Sequence, residues 1–253
     1  MKIVFLGTAG YHPSETRHTT SIIIPELGFV LDAGTGFFRA RDFIRGDHLD
    51  IFLSHAHLDH LQGVTYLLDV LWGKNIPNEN VTIWGEKTHL DYLEKHIFGS
   101  PAFPVPFLYR TKEVSRKFTV KGVRVQTKVL PHPGNSIGYR FTFPDGRVLA
   151  YVTDTVAEGA QLPLIENADL LIHECNFPDT FMGSSLSTEE HAKKTGHSIT
   201  SKVNALALEA KVKRLALIHF NPLDPREDPT DQANARIKFP GVIVARDLME
   251  LEF

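Results

Sequence analysis

The chain has 253 residues, of which 42% are hydrophobic and 23% charged, as in a globular protein with one large core or two packed halves. No apolar run approaches the roughly 18 residues of a membrane helix, so no membrane partner is expected. The net charge of −3 counts only weakly against a nucleic-acid substrate, because an acidic protein can still carry a local basic patch. The single cysteine, Cys175, excludes an internal disulfide and any site built from several thiolates.

Short apolar strands and helical patterns alternate in the first half of the chain. Residues 1–7 are too short and too strand-like for a secretory signal, so we expect the first strand of a cytoplasmic protein here. Strands are predicted at 2–6, 21–25, 29–32, 50–54 and 81–84, and helices at 63–72 and 88–98. Residues 100–109, rich in proline and aromatic side chains, are predicted to form an ordered loop that lines a substrate mouth or packs on the core.

The second half of the chain repeats this order. Strands are predicted at 118–120, 123–130, 136–143, 148–153, 170–173, 214–219, 242–245 and 249–252, and helices at 187–195 and 200–210. Strands followed by helices, twice over, indicate an α/β protein with two packed sheets and helices outside. We therefore expect a single domain with halves of about 1–118 and 119–253, each contributing strand ends to one cleft.

A histidine-rich segment, Ser54-His55-Ala56-His57-Leu58-Asp59-His60, follows the strand predicted at 50–54. Residues i and i+2 of an extended backbone point to the same side, so His55 and His57 can reach one ion. Asp59 and His60 offer a carboxylate and an imidazole to a second ion. Imidazole and carboxylate without thiolate suit zinc, manganese or ferrous iron in a catalytic site. A purely polar turn or helix cap is the alternative, and it does not explain three histidines in six residues.

This segment resembles the H-x-H-x-D-H signature of the metallo-β-lactamase superfamily. The resemblance implies a four-layer αβ/βα sandwich with two mixed sheets, outer helices and metals in the cleft. Further donors occur in the order of that family, namely His132 in Leu-Pro-His-Pro-Gly, Asp154 in Val-Thr-Asp-Thr and His219 in Leu-Ile-His-Phe. By this resemblance one ion is held by His55, His57 and His132, the other by Asp59, His60 and His219, and Asp154 bridges the two.

Other motifs resemble the ribonuclease Z-like and small phosphodiesterase branch of that superfamily. They are Phe-Leu-Gly-Thr-Ala-Gly at 5–10, Asp-Ala-Gly-Thr-Gly at 32–36, His-Glu-Cys-Asn-Phe at 173–177 and Gly-His-Ser-Ile at 196–199. The resemblance implies that His197 contacts the scissile phosphate and assists proton transfer, and that Glu174 orients His197. It also implies a homodimer, which is a common assembly in that branch.

Two departures from the ribonuclease Z pattern bear on the substrate. The basic Gly/Pro-rich arm that clamps transfer RNA is absent, because 138–154 and 155–170 are short, and His18 follows Arg17 where the family has asparagine. We therefore expect a phosphodiesterase of small or cyclic diesters. The alternatives are a tRNA 3′-processing endoribonuclease without the arm, a thioester or lactone hydrolase, and a non-catalytic metal-binding protein.

The resemblance leads to a mechanism with two divalent ions, zinc by preference and manganese or ferrous iron as alternatives. Ions about 3.5–4 Å apart lower the pKa of a shared water enough to make it a nucleophile near neutral pH. We expect Asp59 or Asp154 to accept the proton of that water, and His197 to stabilise the developing charge and protonate the leaving oxygen. A small phosphodiester is the expected partner, with RNA as the alternative.

Overall fold

The computed structural model describes residues 1–181 and 188–253, and within them the chain forms two seven-stranded mixed sheets. The strands are β1 (Lys2–Gly7), β2 (Ser21–Ile24), β3 (Phe29–Ala33), β4 (Leu49–Phe52), β5 (Val81–Gly85), β6 (Arg110–Glu113), β7 (Lys117–Val120), β8 (Val123–Leu130), β9 (Ser136–Thr142), β10 (Val148–Val152), β11 (Leu170–Glu174), β12 (Leu215–Ile218), β13 (Ile243–Val244) and β14 (Glu250–Glu252). The helices are α1 (Leu58–Leu61), α2 (Leu67–Val70), α3 (Lys87–Tyr92), α4 (Leu162–Ile165), α5 (Thr188–Thr195) and α6 (Thr200–Glu209). The predicted helix 187–195 is present from Thr188, and Ser187 lies outside the described residues.

The first compact unit comprises residues 1–114 and 246–253. Its sheet has the order β14-β1-β2-β3-β4-β5-β6, antiparallel as far as β3 and parallel from β3 to β6. β4 is buried along its whole length, as expected for an apolar strand inside a parallel sheet. The His-rich segment follows β4 directly, at the carboxyl end of the strand.

The second compact unit comprises residues 115–245. Its sheet has the order β13-β12-β11-β10-β9-β8-β7, parallel from β13 to β10 and antiparallel from β10 to β7. Each unit has its own apolar core, around Leu6, Ile51 and Phe37 in the first and around Val152, Leu171 and Leu217 in the second. Both cores support the carboxyl ends of parallel strands, where the polar site residues begin.

Two predicted helices were wrong in detail, and one strand was not predicted. The predicted helix 63–72 is a 3-10 turn at Gln62–Tyr66 followed by α2, and a Cβ on Gly63 would lie 2.4 Å from the Gly34 carbonyl oxygen. The predicted helix 88–98 is α3 followed by one π turn at Leu93–Ile97. The sequence also gave no signal for β6, because this edge strand is polar and mostly exposed, so apolar alternation is missing.

The proline- and aromatic-rich loop at 100–109 packs on the core of the first unit. Phe103 and Phe107 each contact Phe98 edge-on at 5.0 Å between ring centroids, and Tyr109 does so at 6.4 Å. Edge-to-face contacts at such distances are favourable for aromatic rings. The loop therefore takes the second of the two roles expected for it.

Among the described residues, no helix has the length and apolar character of a membrane span.

Candidate metal-binding and catalytic site

The His-rich segment of the first unit gathers its donors in a short turn between β4 and α1. His57 is the residue before the first turn of α1, and its carbonyl oxygen accepts the His60 N–H at 3.0 Å. This turn brings the ring of His55 within 4.4 Å of the His57 ring and 4.3 Å of the His60 ring, measured between centroids. His55 and His60 are buried, whereas His57 is exposed.

Asp32 at the end of β3 orients two of these imidazoles. Its Oδ2 accepts the His60 Nδ1–H at 2.8 Å, and it also accepts the Ser54 hydroxyl at 2.7 Å, while Oδ1 accepts the Ser54 backbone N–H at 2.7 Å. The hydroxyl of Ser54 in turn accepts the His55 Nδ1–H at 2.9 Å. Both imidazoles therefore carry their proton on Nδ1, and this leaves the Nε2 lone pair for an ion, as metal-binding histidines require.

The carboxylate of Asp59 is fixed by the loop that follows β1. Its Oδ2 accepts the Tyr11 backbone N–H at 2.7 Å and lies 3.3 Å from His60 Nε2. Gly34 makes this close packing feasible, since a Cβ there would lie only 2.3 Å from the Asp59 carbonyl oxygen. The Asp59 carboxylate and the Nε2 lone pair of His60 are therefore directed toward the same position.

In the second unit three predicted donors come together at the carboxyl ends of the strands. Asp154 follows β10, and its two carboxylate oxygens lie 3.4 Å from His132 Nε2 and 3.1 Å from His219 Nε2. All three residues have buried side chains. The backbones of Asp154 and His219 lie in the left-handed region, with φ of 46° and 58°. Non-glycine residues adopt that conformation at an energetic cost, and such strain is concentrated at functional sites.

The loop that carries His197 packs directly on His132. His132 Nδ1–H donates to the Gly196 carbonyl oxygen at 3.0 Å, so that Nε2 keeps its lone pair toward Asp154. Gly196 has φ of 78°, and a Cβ there would lie 2.6 Å from Pro133 Cδ and 2.8 Å from His132 Nδ1. Only glycine fits both the backbone conformation and the space.

Glu174 and His197 form a carboxylate–imidazole pair in which the carboxylate is buried and the imidazole is partly buried. Glu174 is fully buried at the end of β11, and it accepts His197 Nδ1–H and the backbone N–H groups of Thr155 and Asn176, all at 3.0 Å. Because Nδ1 of His197 is hydrogen-bonded to Glu174, Nε2 is the ring atom that can contact a bound ligand. The His197 ring stacks on the His219 ring, with 5.3 Å between centroids and 27° between planes.

The neighbours of this pair have structural roles. Burial lowers the pKa of His173 and raises the pKa of the Cys175 thiol, so both groups stay neutral near pH 7. The Nδ1–H of His173 donates to the Glu174 carbonyl oxygen at 2.6 Å. Asn176 supports His219, with its amide nitrogen donating to the His219 carbonyl oxygen at 3.1 Å and lying 3.2 Å from its Nδ1.

Each unit thus assembles its share of the predicted site residues. The first unit groups His55, His57, Asp59 and His60, and the second groups His132, Asp154, Glu174, His197 and His219. The orienting residues Asp32, Ser54, Gly196 and Asn176 were not predicted as site residues. Asp32 could have been found, because a carboxylate in an Asp-x-Gly turn at a strand end is a natural partner for a metal-binding histidine.

The donor chemistry fits divalent metal ions. Within the described second unit, ligand atoms of Asp154, His197 and His219 lie within 4.8 Å of one another. His55, His60 and His132 each have Nδ1 committed to a protein acceptor, which leaves Nε2 for coordination. Imidazole and carboxylate donors without thiolate match zinc, manganese or ferrous iron.

Residues 28–220 match the beta-lactamase superfamily domain. The chain therefore belongs to the beta-lactamase superfamily, has the metallo-β-lactamase fold with two mixed seven-stranded sheets, and is a metal-dependent hydrolase. The expectations on family, fold and enzyme class are confirmed.

Individual relatives agree with this assignment. The Ribonuclease Z of Gemmatimonas aurantiaca is 28% identical over 312 aligned positions, which cover 98% of this chain and 94% of that protein. The metallo-β-lactamase fold protein YhfI of Bacillus subtilis superposes with a TM-score of 0.78 at 20% identity, and covers 99% of both chains. The short form of human tRNase Z gives a TM-score of 0.71 at 23% identity, and covers 100% of this chain and 99% of that chain.

Proposed function

We propose that this protein is a dinuclear-metal phosphodiesterase. The observation that carries the proposal is the Glu174–His197 pair, whose imidazole stacks on the candidate ligand His219. A histidine held by a buried carboxylate beside metal donors is suited to neutralise charge on a phosphoryl oxygen and to transfer a proton.

The assignment of donors to two ions follows the family pattern. His55, His57 and His132 would hold one divalent ion, Asp59, His60 and His219 the other, and Asp154 both. When bound, such ions polarise the phosphoryl group and lower the pKa of a water. Zinc is the proposed metal, with manganese and ferrous iron as alternatives, because the donors are nitrogen and oxygen only.

The remaining chemistry belongs to the residues of the chain. Asp59 or Asp154 would accept the proton of the attacking water, and both carboxylates are already fixed, by Tyr11 N–H and by the Thr153 hydroxyl at 2.8 Å. A protonated His197 would donate through Nε2 to a phosphoryl oxygen and then to the leaving oxygen. Glu174 keeps the ring in place by binding Nδ1.

Two substrate classes fit the proposed chemistry. The missing arm supports the small or cyclic diester expected from the sequence. The name of the Gemmatimonas aurantiaca relative supports RNA, although that alignment of 312 positions exceeds the 253 residues of this chain, so the relative contains segments that this chain lacks. We also propose a cytoplasmic location and, by likeness to the ribonuclease Z branch, a homodimer.

The proposed function is tested with bis-p-nitrophenyl phosphate, 2′,3′-cyclic nucleotides, precursor tRNA and a glutathione thioester, each with added Zn²⁺ or Mn²⁺. We expect cleavage of phosphodiesters that is lost on chelation of the metal. His197→Ala should keep the bound metal and lower kcat by about 10²-fold or more. His96→Ala, an exposed histidine on the π turn after α3, is the matched control and should retain full activity. Activity confined to the thioester would contradict the proposal.

A further inference from the structure

The hairpin β7–β8 concentrates positive charge in an otherwise acidic protein. Residues 115–130 include five Lys or Arg residues and no Asp or Glu, whereas the whole chain has a net charge of −3. The five are Arg116, Lys117, Lys121, Arg124 and Lys128. A cluster of one charge sign on one element is the electrostatic footprint of a polyanion site.

The pairing of the strands places two of these cations, Lys117 and Arg124, on one face. Lys117 is opposite Gln126, and Thr119 is opposite Arg124, which is opposite Thr142 on β9. The alternate positions Phe118, Val125 and Phe141 pair with one another on the opposite face. The period of two along the strands thus separates an apolar face from a cationic face.

This cationic face is concave. A groove of about 380 Å³ is lined by Lys117, Thr119, Arg124, Gln126 and Thr142, together with parts of Phe118 and Val125. The lining includes two cations, two hydroxyls and one amide, and no carboxylate. Lys117 and Arg124 are exposed. These groups are the donors that contact phosphate oxygens and the ribose 2′-hydroxyl.

β8 leads from this groove to the candidate metal ligand His132. Eight residues separate Arg124 from His132, which is a span of up to about 26 Å at ~3.3 Å per extended residue. A stacked strand advances ~3.4 Å per nucleotide, so roughly eight nucleotides are needed to cover that distance. A cyclic diester or a dinucleotide cannot occupy both places, whereas an RNA strand can.

We propose that the β7–β8 groove binds the sugar–phosphate backbone of an RNA substrate. The part of the RNA that it binds lies several nucleotides away from the scissile bond. The inference rests on the proposed phosphodiesterase function and defines its substrate class as RNA. Lys117 and Arg124 contact phosphates, while Thr119, Gln126 and Thr142 contact ribose hydroxyls. The β7–β8 groove thereby takes the place of the missing arm in contacting the RNA backbone.

Edge protection is the competing explanation, because lysine on an edge strand prevents pairing with other chains, and β7 is the edge of its sheet. Charge reversal separates the two roles. Glutamate protects an edge as lysine does, but it repels phosphate. The test variant is Lys117→Glu with Arg124→Glu, and the matched control is Arg45→Glu with Lys74→Glu in the first unit, which changes the net charge equally.

The experiment uses the metal-loaded full chain, an RNA of roughly 20 nucleotides and a trinucleotide, a length difference chosen from the ~3.4 Å rise per nucleotide. Kd for the longer RNA should rise at least about tenfold in the groove variant and within twofold in the control. The slope of log K against log salt should fall by about 1.4, for two lost phosphate contacts to a single strand. Turnover of bis-p-nitrophenyl phosphate and of the trinucleotide should be unchanged.

The outcomes distinguish the inference from the proposed function. If wild type cleaves bis-p-nitrophenyl phosphate and the groove variant binds the longer RNA as the control variant does, the groove assignment is wrong and the phosphodiesterase stands. Equal affinity for a DNA of the same sequence would also overturn the assignment to RNA. If wild type cleaves no phosphodiester, the proposed function fails, whatever the binding result.

Discussion

Asp32 and His60 form a fully buried carboxylate–imidazole hydrogen bond of 2.8 Å, in which His60 Nδ1–H donates to Asp32 Oδ2. The bond fixes the tautomer of His60, and the Ser54 hydroxyl extends the same control to His55. Asp32 adopts a φ of 54°, an uncommon conformation for a residue other than glycine. The strained backbone holds the carboxylate where it can serve two candidate metal ligands at once.

Asp32→Asn should lower the affinity for the metal by about 10–100-fold, the usual effect of removing a partner that orients a metal-binding histidine. Asp32 accepts hydrogen bonds from the Ser54 N–H, the Ser54 hydroxyl and His60 through its two oxygens. An asparagine amide has only one oxygen and cannot accept all three. Competition with a chromophoric chelator measures the affinity of the metal-free chain for Zn²⁺. Asp50→Asn, at another buried aspartate of the same unit, is the control, and equal affinities in the two variants would contradict the role of Asp32.

Glu174→Gln should lower kcat by about tenfold or more with little change in KM and in bound metal, because it disturbs the orientation of His197 and not substrate binding. Glutamine can accept from only one side, while Glu174 accepts three N–H groups through both oxygens. The decisive comparison is the double variant with His197→Ala. If the two residues act as one unit, the double variant should be no slower than His197→Ala alone. Fully additive losses would refute a shared role.

Gly196→Ala should both destabilise the fold and impair the site. Its backbone has φ of 78°, and the new Cβ would press on Pro133 and on His132. Gly146→Ala in the turn between β9 and β10 is the matched control, since its φ is 88° and no atom lies within 4 Å of the added Cβ. Each substitution should cost about 1–2 kcal/mol of unfolding free energy for the left-handed backbone alone.

The two glycine variants should therefore differ beyond that shared cost. Gly196→Ala should lose additional unfolding free energy and lower kcat/KM by at least about tenfold, since an error of about 1 Å in a catalytic group is costly. Gly146→Ala should keep wild-type kinetics. Urea unfolding and steady-state assays on bis-p-nitrophenyl phosphate give both quantities. Identical behaviour of the two variants would mean that contact with His132 is unimportant.

Short-range pattern was enough to predict most strands and the groups of polar residues at their ends. β4 and β10 are apolar runs followed closely by His or Asp. Such runs can be recognised from their own sequence, without knowledge of the strands that pair with them. The partners that orient the ligands come from distant positions. Asp32 acts 28 residues from His60, and the Gly196 carbonyl acts 64 residues from His132. Those pairings depend on strand order and loop packing, which hydrophobic periodicity does not encode.

Helices were predicted less accurately than strands for a related reason. Gly63 falls inside a pattern that is apolar at helical spacing, so the sequence predicted a regular helix there. The close approach of Gly63 to Gly34 accompanies a 3-10 turn instead, and this is a tertiary effect. The edge strand β6 was missed because exposure removes the apolar alternation that identifies buried strands.

The pH dependence of stability should include a contribution from Asp50, a 6%-exposed aspartate of β4 whose Oδ1 accepts the Trp84 indole N–H at 2.8 Å. Burial raises the pKa of Asp50 above its ordinary value, against the smaller opposing effects of Trp84 and Lys112. Between the unfolded pKa of about 3.9 and the raised folded pKa, the folded chain holds more protons than the unfolded chain. The free energy of unfolding must therefore fall as the pH rises through that window.

Asp50→Asn should remove this loss while keeping an acceptor for the Trp84 indole. Relative to wild type, the variant should gain stability as the pH rises from 4 to 7, by about 1.4 kcal/mol for each unit by which the folded pKa exceeds the unfolded pKa. Urea unfolding of the metal-free chains at several pH values in this range measures the difference. Asp42→Asn, at an exposed aspartate of the same unit, is the matched control for the loss of one carboxylate. A constant difference between Asp50→Asn and wild type across the range would show that Asp50 titrates alike in the folded and unfolded chains.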